Sequence, residues 1–570
     1  MTAFVADGLR PGMRDFGARI LAAATASHAR VAAFLLAMSL VCLLPGFFNI
    51  APMDRDEGRF AQATKQMIES GDYVDIRFQD EVRYKKPVGI YWLQAAAVRG
   101  GEALGVPQAH TTIWLYRLPS LVGALAAVLL TYWTALAFVS RRNACLAALM
   151  LAAALMLGIE ARLAKTDAVL LATVVAAVGV MGREYMRRDA AAAPGWLLPG
   201  VFWSAVAAGV LIKGPLILMV VALAAVTLVT IDRSAGWLTR LRPLAGVVWL
   251  LLLVLPWFIA IVGRAGDAFF VGSVGGDLMS KLSGGSEGHG APPLTYLVLF
   301  WLTFWPAAPL AALATPAVWR HRHEPAVRFL LAWLVPAWVV FEVVPTKLPH
   351  YVLPLYPAIA ILIAWAIERE ALSAKPWIAR ITVHWPIVAA VLPILAIVAL
   401  MGLRRQPGLL AWPFAAGAMI FGFFAWRLFD EDGPARSLLR AAVAAQFCAI
   451  AVFGAILPLL HPFFPAAALA QAVAPRCEHP RYAAAGYHEP SVVFLFGTAT
   501  LLTDGQGAAD FLGEGGCRFA LVEGRQERSF TRRAEAIGLR YAPGPRVDGF
   551  NYNEGGRAIT IAVYRSEAQP

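Results

Sequence analysis

The chain is short of charge. Only 15% of its 570 residues are Asp, Glu, Lys or Arg, against about a quarter in a soluble globular chain. In their place, 59% of residues are hydrophobic and the mean hydropathy is +0.62. That balance excludes disorder, a small disulfide scaffold and a freely soluble multidomain protein. Cysteine is scarce too. Cys42, Cys145, Cys448, Cys477 and Cys517 form no CxxC and no zinc spacing, so neither a redox motif nor a metal ribbon is indicated. Cys477 and Cys517 lie in the polar C-terminal part, where an oxidising compartment allows pairing; the sequence leaves paired and free equally open. There is no internal repeat, and no Rossmann fingerprint in the membrane region.

What fills the chain is a series of apolar blocks of about 20 residues, the length that spans a bilayer core. They lie near 31–50, 117–139, 144–160, 167–182, 196–212, 214–231, 244–263, 294–318, 327–344, 349–367, 382–402, 409–428 and 438–460, about thirteen spans. The expected fold is a polytopic α-helical membrane protein. Arg10, Arg14, Arg19 and Arg30 precede the first block, which is too long for a signal peptide and lacks a small-residue cleavage site. The net charge of +12 needs no nucleic acid to explain it. Alternate connections carry the basic residues: Arg141 and Arg142; Arg183, Arg187 and Arg188; Arg233, Arg240 and Arg242; Arg320, Arg322 and Arg328; Arg369, Lys375 and Arg380; Arg436 and Arg440. These define the cytoplasmic side. Residues 1–30 then form a cytoplasmic segment, 31–460 a membrane domain, and 51–113 a long outer loop.

After residue 461 the composition becomes that of a small soluble domain, 461–570, on the outer surface. Segments 491–497, 517–522 and 558–564 read as strands, with 507–512 and 528–539 as helices, an α/β alternation. It has no Gly-rich phosphate loop and no nucleophile elbow, so it reads as a packing or acceptor-docking module.

Chemistry is sought where polar groups sit against the bilayer's preference. The outer loop opens with Asp54-Arg55-Asp56-Glu57-Gly58-Arg59-Phe60, three carboxylates and two guanidiniums directly after a span. Asp56 is suited to cap a helix whose apolar residues Phe60, Ala63, Thr64, Met67 and Ile68 repeat until Gly71, a helix expected to lie along the membrane surface. The bland reading is a capped helix with a solvated charged face. Further on, Lys85 and Lys86 precede Pro87 and the aromatic stretch Tyr91-Trp92, expected in extended backbone before a second surface helix and suited to a phosphate at headgroup depth. Snorkelling lysines are the plain alternative. Three further clusters fall on the same face: Glu160 to Asp167 with Arg162 and Lys165 between them, Lys213-Gly214-Pro215, and Thr346 to Tyr351 with Lys347 and His350. Carriers place charges near the midplane on broken helices and show repeat symmetry, whereas these crowd one face. That favours a surface-facing membrane enzyme over a transporter or flippase, and a mere scaffold leaves the charged loop unexplained.

DEGRFAQATKQMIESGDY, YKKPVGIYW, KGP and KLPHYVLPLYP together resemble the aminoarabinose transferase branch of the protein mannosyltransferase-like GT-C glycosyltransferases. The resemblance runs over nearly the whole chain. It implies transfer of a sugar from a polyprenyl-phosphate donor to lipid A or another envelope acceptor, at the periplasmic face of a bacterial inner membrane. The alternative acceptor in the superfamily is a protein or another envelope glycan. Position by position, the resemblance implies that Asp56, Glu57 and Arg59 are catalytic and that Lys86 and Tyr351 contact the donor. Lys85 and Lys347 join that phosphate-binding set; Arg162, Lys165, Asp167, Lys213, His289 and His350 are further candidates. The family often has a Glu before the Lys and a later His as a divalent-metal pair; here that Glu is Lys85, while His289 matches the His. A protonated lysine cannot ligate a metal, so no metal and no cofactor is expected, and a more anionic donor or acceptor is implied. Membrane lipids are the remaining partners.

Overall fold

The computed structural model describes residues 11–189, 195–272, 290–473 and 477–567. Among these, eight helices are long and apolar enough to cross a membrane: Ile113–Ala135, Asp167–Met186, Pro243–Ala265, Pro325–Val343, Pro349–Glu368, Pro376–Arg404, Leu409–Arg427 and Pro434–Leu459. Three shorter apolar helices, His28–Leu43, Leu197–Lys213 and Leu216–Asp232, match three more of the apolar blocks. The last two blocks are each broken in two, Arg141–Ala153 with Leu155–Glu160, and Thr295–Thr303 with Ala308–Arg320. The chain is a multi-pass membrane protein.

The breaks satisfy each other. A bilayer core offers no water to an orphaned backbone group, so an interrupted helix needs a protein partner at the gap. Here the Leu155 amide donates to the Trp305 carbonyl at 3.1 Å, and the Trp385 indole N–H donates to the Pro306 carbonyl at 2.6 Å. Helix Arg141–Ala153 is buried from Asn143 to its end and packs among the His28, Ile113, Tyr356 and Pro434 helices. Its alanines allow the close backbone approach on which helix association in lipid depends.

The outer loop is ordered rather than draped on the surface. Helix Asp56–Ser70 ends where Gly71 takes a left-handed turn, as the sequence suggests. Its start differs by one residue: Arg55 is the cap and Asp56 the first helical residue. Nor is its polar face solvated, since Glu57, Gln62 and Lys65 are all buried. A short hairpin follows, β1 (Arg77–Phe78) paired with β2 (Glu81–Val82). Residues 84–86 then form a turn and bend in place of the expected extended segment, and helix Gly89–Ala103 begins just beyond Pro87. Phe60 and Tyr91 pack at 5.5 Å between ring centres, and the Thr64 hydroxyl donates to Gln94 at 2.6 Å, joining the two loop helices.

The C-terminal part is a five-stranded sheet in the order β4-β3-β5-β7-β6. Its strands are β3 (Arg481–Ala485), β4 (Leu501–Thr503), β5 (Arg518–Glu523), β6 (Tyr541–Asn551) and β7 (Arg557–Ser566). The pairings β3–β4 and β3–β5 are parallel; β5–β7 and β7–β6 are antiparallel. Helices Gly505–Gly513 and Gly524–Ala536 lie close to the expected ones. One expectation fails: 491–497 is a helix, Pro490–Phe496, not a strand. Its β-branched and aromatic composition argues for strand, but Pro490 at the first helical position starts a helix, and packing on the Asp56–Ser70 helix overrides propensity.

Cys477 and Cys517 are joined by a disulfide with a Cα–Cα separation of 6.0 Å, closing a 40-residue interval. Replacing both by Ser is expected to lower the stability of this domain by about 2–4 kcal/mol. Thermal melts of the oxidised protein against the double variant provide the check, and superimposable curves would rule out a stabilising bond.

Candidate functional site

The site is assembled at one end of the bundle, and a buried ion pair does the assembling. Glu57 accepts two hydrogen bonds from Arg117, at 2.7 and 2.8 Å, and both side chains are wholly buried. It also accepts from the Met53 and Ala164 amides, each at 2.9 Å. Arg117 spends its remaining donors on the carbonyls of Phe47, Ile50 and Ala51. One pair therefore ties three pieces together: the start of the outer loop, the head of helix Ile113–Ala135, and the 161–166 connection. All four acceptor positions of the Glu57 carboxylate are thereby engaged. Its neighbour Asp56 lies within electrostatic reach of Lys165 and Tyr91.

Around Lys165 the structure gathers residues from three connections. Lys165 Nζ lies 3.2 Å from Glu160 Oε1 and 3.9 Å from Asp167 Oδ2. Lys213 donates to Asp167, and its ammonium sits 5.3 Å from the centre of the Tyr351 ring. His350 completes the cluster, Nδ1 at 3.4 Å from Glu160 and Nε2 at 3.6 Å from Asp167. Lys165, Asp167, Lys213, His350 and Tyr351, separated by up to almost 190 positions in sequence, are thus brought together. Glu160 is the member missing from the expected set; its Oε2 is buried with no hydrogen-bond partner among the described residues.

The helix that follows the lysine turn makes a close backbone approach to the bundle. A side chain at Gly89 would strike the Leu211 carbonyl at 2.7 Å, so only glycine lets the start of helix Gly89–Ala103 rest on the end of helix Leu197–Lys213. Lys86 and Lys85 stand three and four residues before that contact, with Lys86 Nζ donating to the Lys85 carbonyl at 2.9 Å. Next to them, Arg83 lies over the Phe60 ring at 5.2 Å and within electrostatic reach of Tyr91. Arg59 lies within electrostatic reach of Glu489 of the C-terminal domain.

Two expected members have other employment. Lys347 is buried and donates to the carbonyls of Ala291 at 3.1 Å and Val344 at 2.8 Å, bracing its own loop. Arg162 is buried too, donating to the carbonyls of Pro45, Gly158 and Cys42 and lying 4.2 Å from the Phe453 ring centre. It neutralises helix ends rather than facing the cluster. His289 lies outside the described residues.

Glu160, Asp167 and His350 offer ligand atoms within 4.8 Å of one another, a spacing that fits a metal ion. Two ammoniums, Lys165 and Lys213, already lie against both carboxylates. A divalent ion added there faces two fixed positive charges in a buried site.

The chain is thus a multi-pass bundle with a five-stranded sheet domain and a buried carboxylate–lysine cluster at one end. The family model described as dolichyl-phosphate-mannose-protein mannosyltransferase matches residues 100–266. The chain is similar to undecaprenyl phosphate-alpha-4-amino-4-deoxy-L-arabinose arabinosyl transferases. It is 28% identical to that of Pseudomonas paraeruginosa, over 59% of this chain and 60% of the relative. With that of Erwinia tasmaniensis it shares 27% identity, over 62% of each. The chain thus spans about three-fifths of the length of these relatives. Its fold is that of ArnT from Cupriavidus metallidurans: the apo crystal structure superposes with a TM-score of 0.70 at 20% identity, covering 93% of this chain and 97% of the other. The same protein bound to undecaprenyl phosphate gives 0.68 at 22% identity, with the same coverage.

Proposed function

We propose that this chain is a glycosyltransferase that moves a sugar from a polyprenyl-phosphate donor to lipid A or a related envelope lipid, at the periplasmic face of a bacterial inner membrane. The observation that carries the reading is Asp56, held beside the buried Lys165–Asp167–Lys213–His350 cluster at one end of an ArnT-like bundle. The curated relatives are named for an undecaprenyl-phosphate-linked sugar, and one structural neighbour is bound to undecaprenyl phosphate. The disulfide between Cys477 and Cys517 supports placing the C-terminal domain in an oxidising compartment.

The chemistry follows from charge. As the glycosyl bond breaks, negative charge grows on the leaving polyprenyl phosphate, and Lys85 and Lys86 stabilise it from the turn before Pro87. A hydroxyl acceptor needs a base, and Asp56 is placed to take its proton; an ionised phosphate acceptor needs only to be oriented. The match of the mannosyltransferase model to residues 100–266 favours, as a second reading, a hydroxyl on a protein. In both readings the positive charge comes from lysines, and the reaction proceeds without a divalent cation.

Mass spectrometry of lipid A from cells with and without the gene tests the acceptor. With purified protein, Lys86→Ala is expected to weaken donor use by roughly ten- to a hundredfold, the worth of a lost charge-assisted contact. Lys85→Glu is expected to be severely damaged. A Lys85→Glu variant that keeps its activity and responds to added divalent ions would replace the lysine account with a metal.

A further inference from the structure

The C-terminal domain packs along helix Asp56–Ser70. On helix Asp56–Ser70, Gly58, Gln62, Lys65 and Glu69 form one face at helical spacing. A side chain on Gly58 would meet Pro490 and Ser491 at 3.1 Å. Gln62 donates to the Thr498 hydroxyl at 2.8 Å, Lys65 to the Phe494 carbonyl at 2.9 Å, and the Thr498 hydroxyl donates to Glu69 at 2.6 Å. The opposite face, with Glu57, Phe60 and Thr64, meets the membrane bundle and the second loop helix. The grip is tightest where the helix begins. Asp54 accepts from the Tyr487 hydroxyl at 2.7 Å and the Ser491 amide at 3.3 Å. Arg55 donates through Nε to Asn553 Oδ1 at 2.6 Å, and the Asn553 amide nitrogen donates in turn to Glu489.

Arg55 itself is strained. Its φ of 67° and ψ of −115° are a conformation that residues with a Cβ rarely adopt, and it sits directly before Asp56. Such strain persists only where the surroundings over-determine it. Here the surroundings are Tyr487, Ser491 and Asn553. Building on the glycosyltransferase reading, we infer that the C-terminal domain is the outer jaw of the active site: Tyr487 and Asn553 are positioning residues that hold the Asp54–Arg55 turn and so set Asp56 against the bundle.

The seat has a built-in response to pH. Glu489 is buried, and desolvation with the nearby Asp54 charge pushes its carboxyl up to about 7, against the pull of Arg59, Asn553 and Arg55. Asp54 is raised in the same direction by burial, with the Glu57 charge adding to it and the Ser491 and Tyr487 hydrogen bonds opposing. Tyr487 and Tyr552 face Asp54, and both hydroxyls stay protonated. Raised carboxyls favour the protonated, docked form. Docking is therefore strongest at acid pH and weakens as pH rises through about 7.

The test uses the full-length protein in detergent or nanodiscs. Asn553→Ala and Tyr487→Phe are expected to lower kcat by about ten- to a hundredfold, as small misplacements of a reacting group do. KM for the polyprenyl-phosphate donor should change little, and amide exchange over residues 53–60 should speed up at fixed pH. Tyr487→Phe keeps its shape and guards against a misfolded Asn553→Ala. Wild-type kcat should fall as pH passes 7, and Glu489→Gln, a permanently neutral group, should flatten that fall. Wild-type kcat in both positioning variants overturns the inference, whatever their exchange does. If the unmodified chain transfers no sugar from any polyprenyl-phosphate donor, the functional reading has failed instead. Amide exchange then decides the inference alone, and unchanged protection of 53–60 overturns it.

Discussion

Asp56→Asn is expected to slow sugar transfer by about 10²–10⁴-fold, the usual cost of losing one well-placed general base, while the protein still folds and inserts. The substitution is nearly isosteric. Asp56 is the first residue of its helix, and the loop around it is held by other groups, Glu57 on the inner side and the Asp54–Arg55 turn on the outer. The fold therefore does not depend on this carboxylate. Its surroundings mark it for chemistry: a buried lysine within electrostatic reach and a clamp on each neighbour in sequence. Initial rates with purified protein and a defined polyprenyl-phosphate sugar give the measurement. A variant that keeps near-wild-type rates would leave Asp56 as a helix-opening residue and nothing more.

Much of this architecture can be read from the residues alone, because a bilayer imposes simple rules. Apolar blocks of fixed length become helices, eight of them long enough to cross a membrane among the described residues. What the blocks hide is continuity. Ala154 and Pro306 break two helices in a way that hydropathy does not register, since both breaks lie inside apolar sequence and satisfy each other's backbone groups only in three dimensions. The extramembrane domain was legible as α/β, yet helix Pro490–Phe496 reads as a strand because its composition reflects burial against another helix rather than sheet packing.

The site was legible as a list of polar residues on one face, not as a division of labour. Lys165, Asp167, Lys213 and His350 do converge. Lys347 and Arg162 share their burial but serve backbone carbonyls, a distinction that depends on where each side chain turns. Glu57 stands beside Asp56 in the sequence, while its ion-pair partner lies 60 positions away. That partner, Arg117, carried a signal: a charged residue at the head of an apolar span is costly unless paired. The contribution of Tyr487, Glu489 and Asn553 left no local trace, because it arises from a contact between segments more than 430 positions apart.

Arg117→Met is expected to destabilise the protein by about 3–5 kcal/mol, because it leaves the Glu57 carboxylate buried without its partner. The loss is larger than the pair's net worth. A fully dehydrated ion pair gives back most of its Coulomb attraction as desolvation cost, so removing both charges is milder than removing one. The double variant Glu57→Gln/Arg117→Met should therefore recover part of the melting temperature. Gln keeps an acceptor for one of the Met53 and Ala164 amides, which now donate to different oxygens of Glu57, so the recovery stays incomplete. Activity should not recover with stability. Arg117 also holds the carbonyls of Phe47, Ile50 and Ala51, and without it the strand of chain leading to Asp56 loses its inner anchor. Thermal melts in detergent alongside transfer rates separate the two effects. Equal losses of stability in the single and double variants would mean that the pair acts through packing alone, whereas recovered stability with lasting inactivity would identify it as the inner clamp on the catalytic loop.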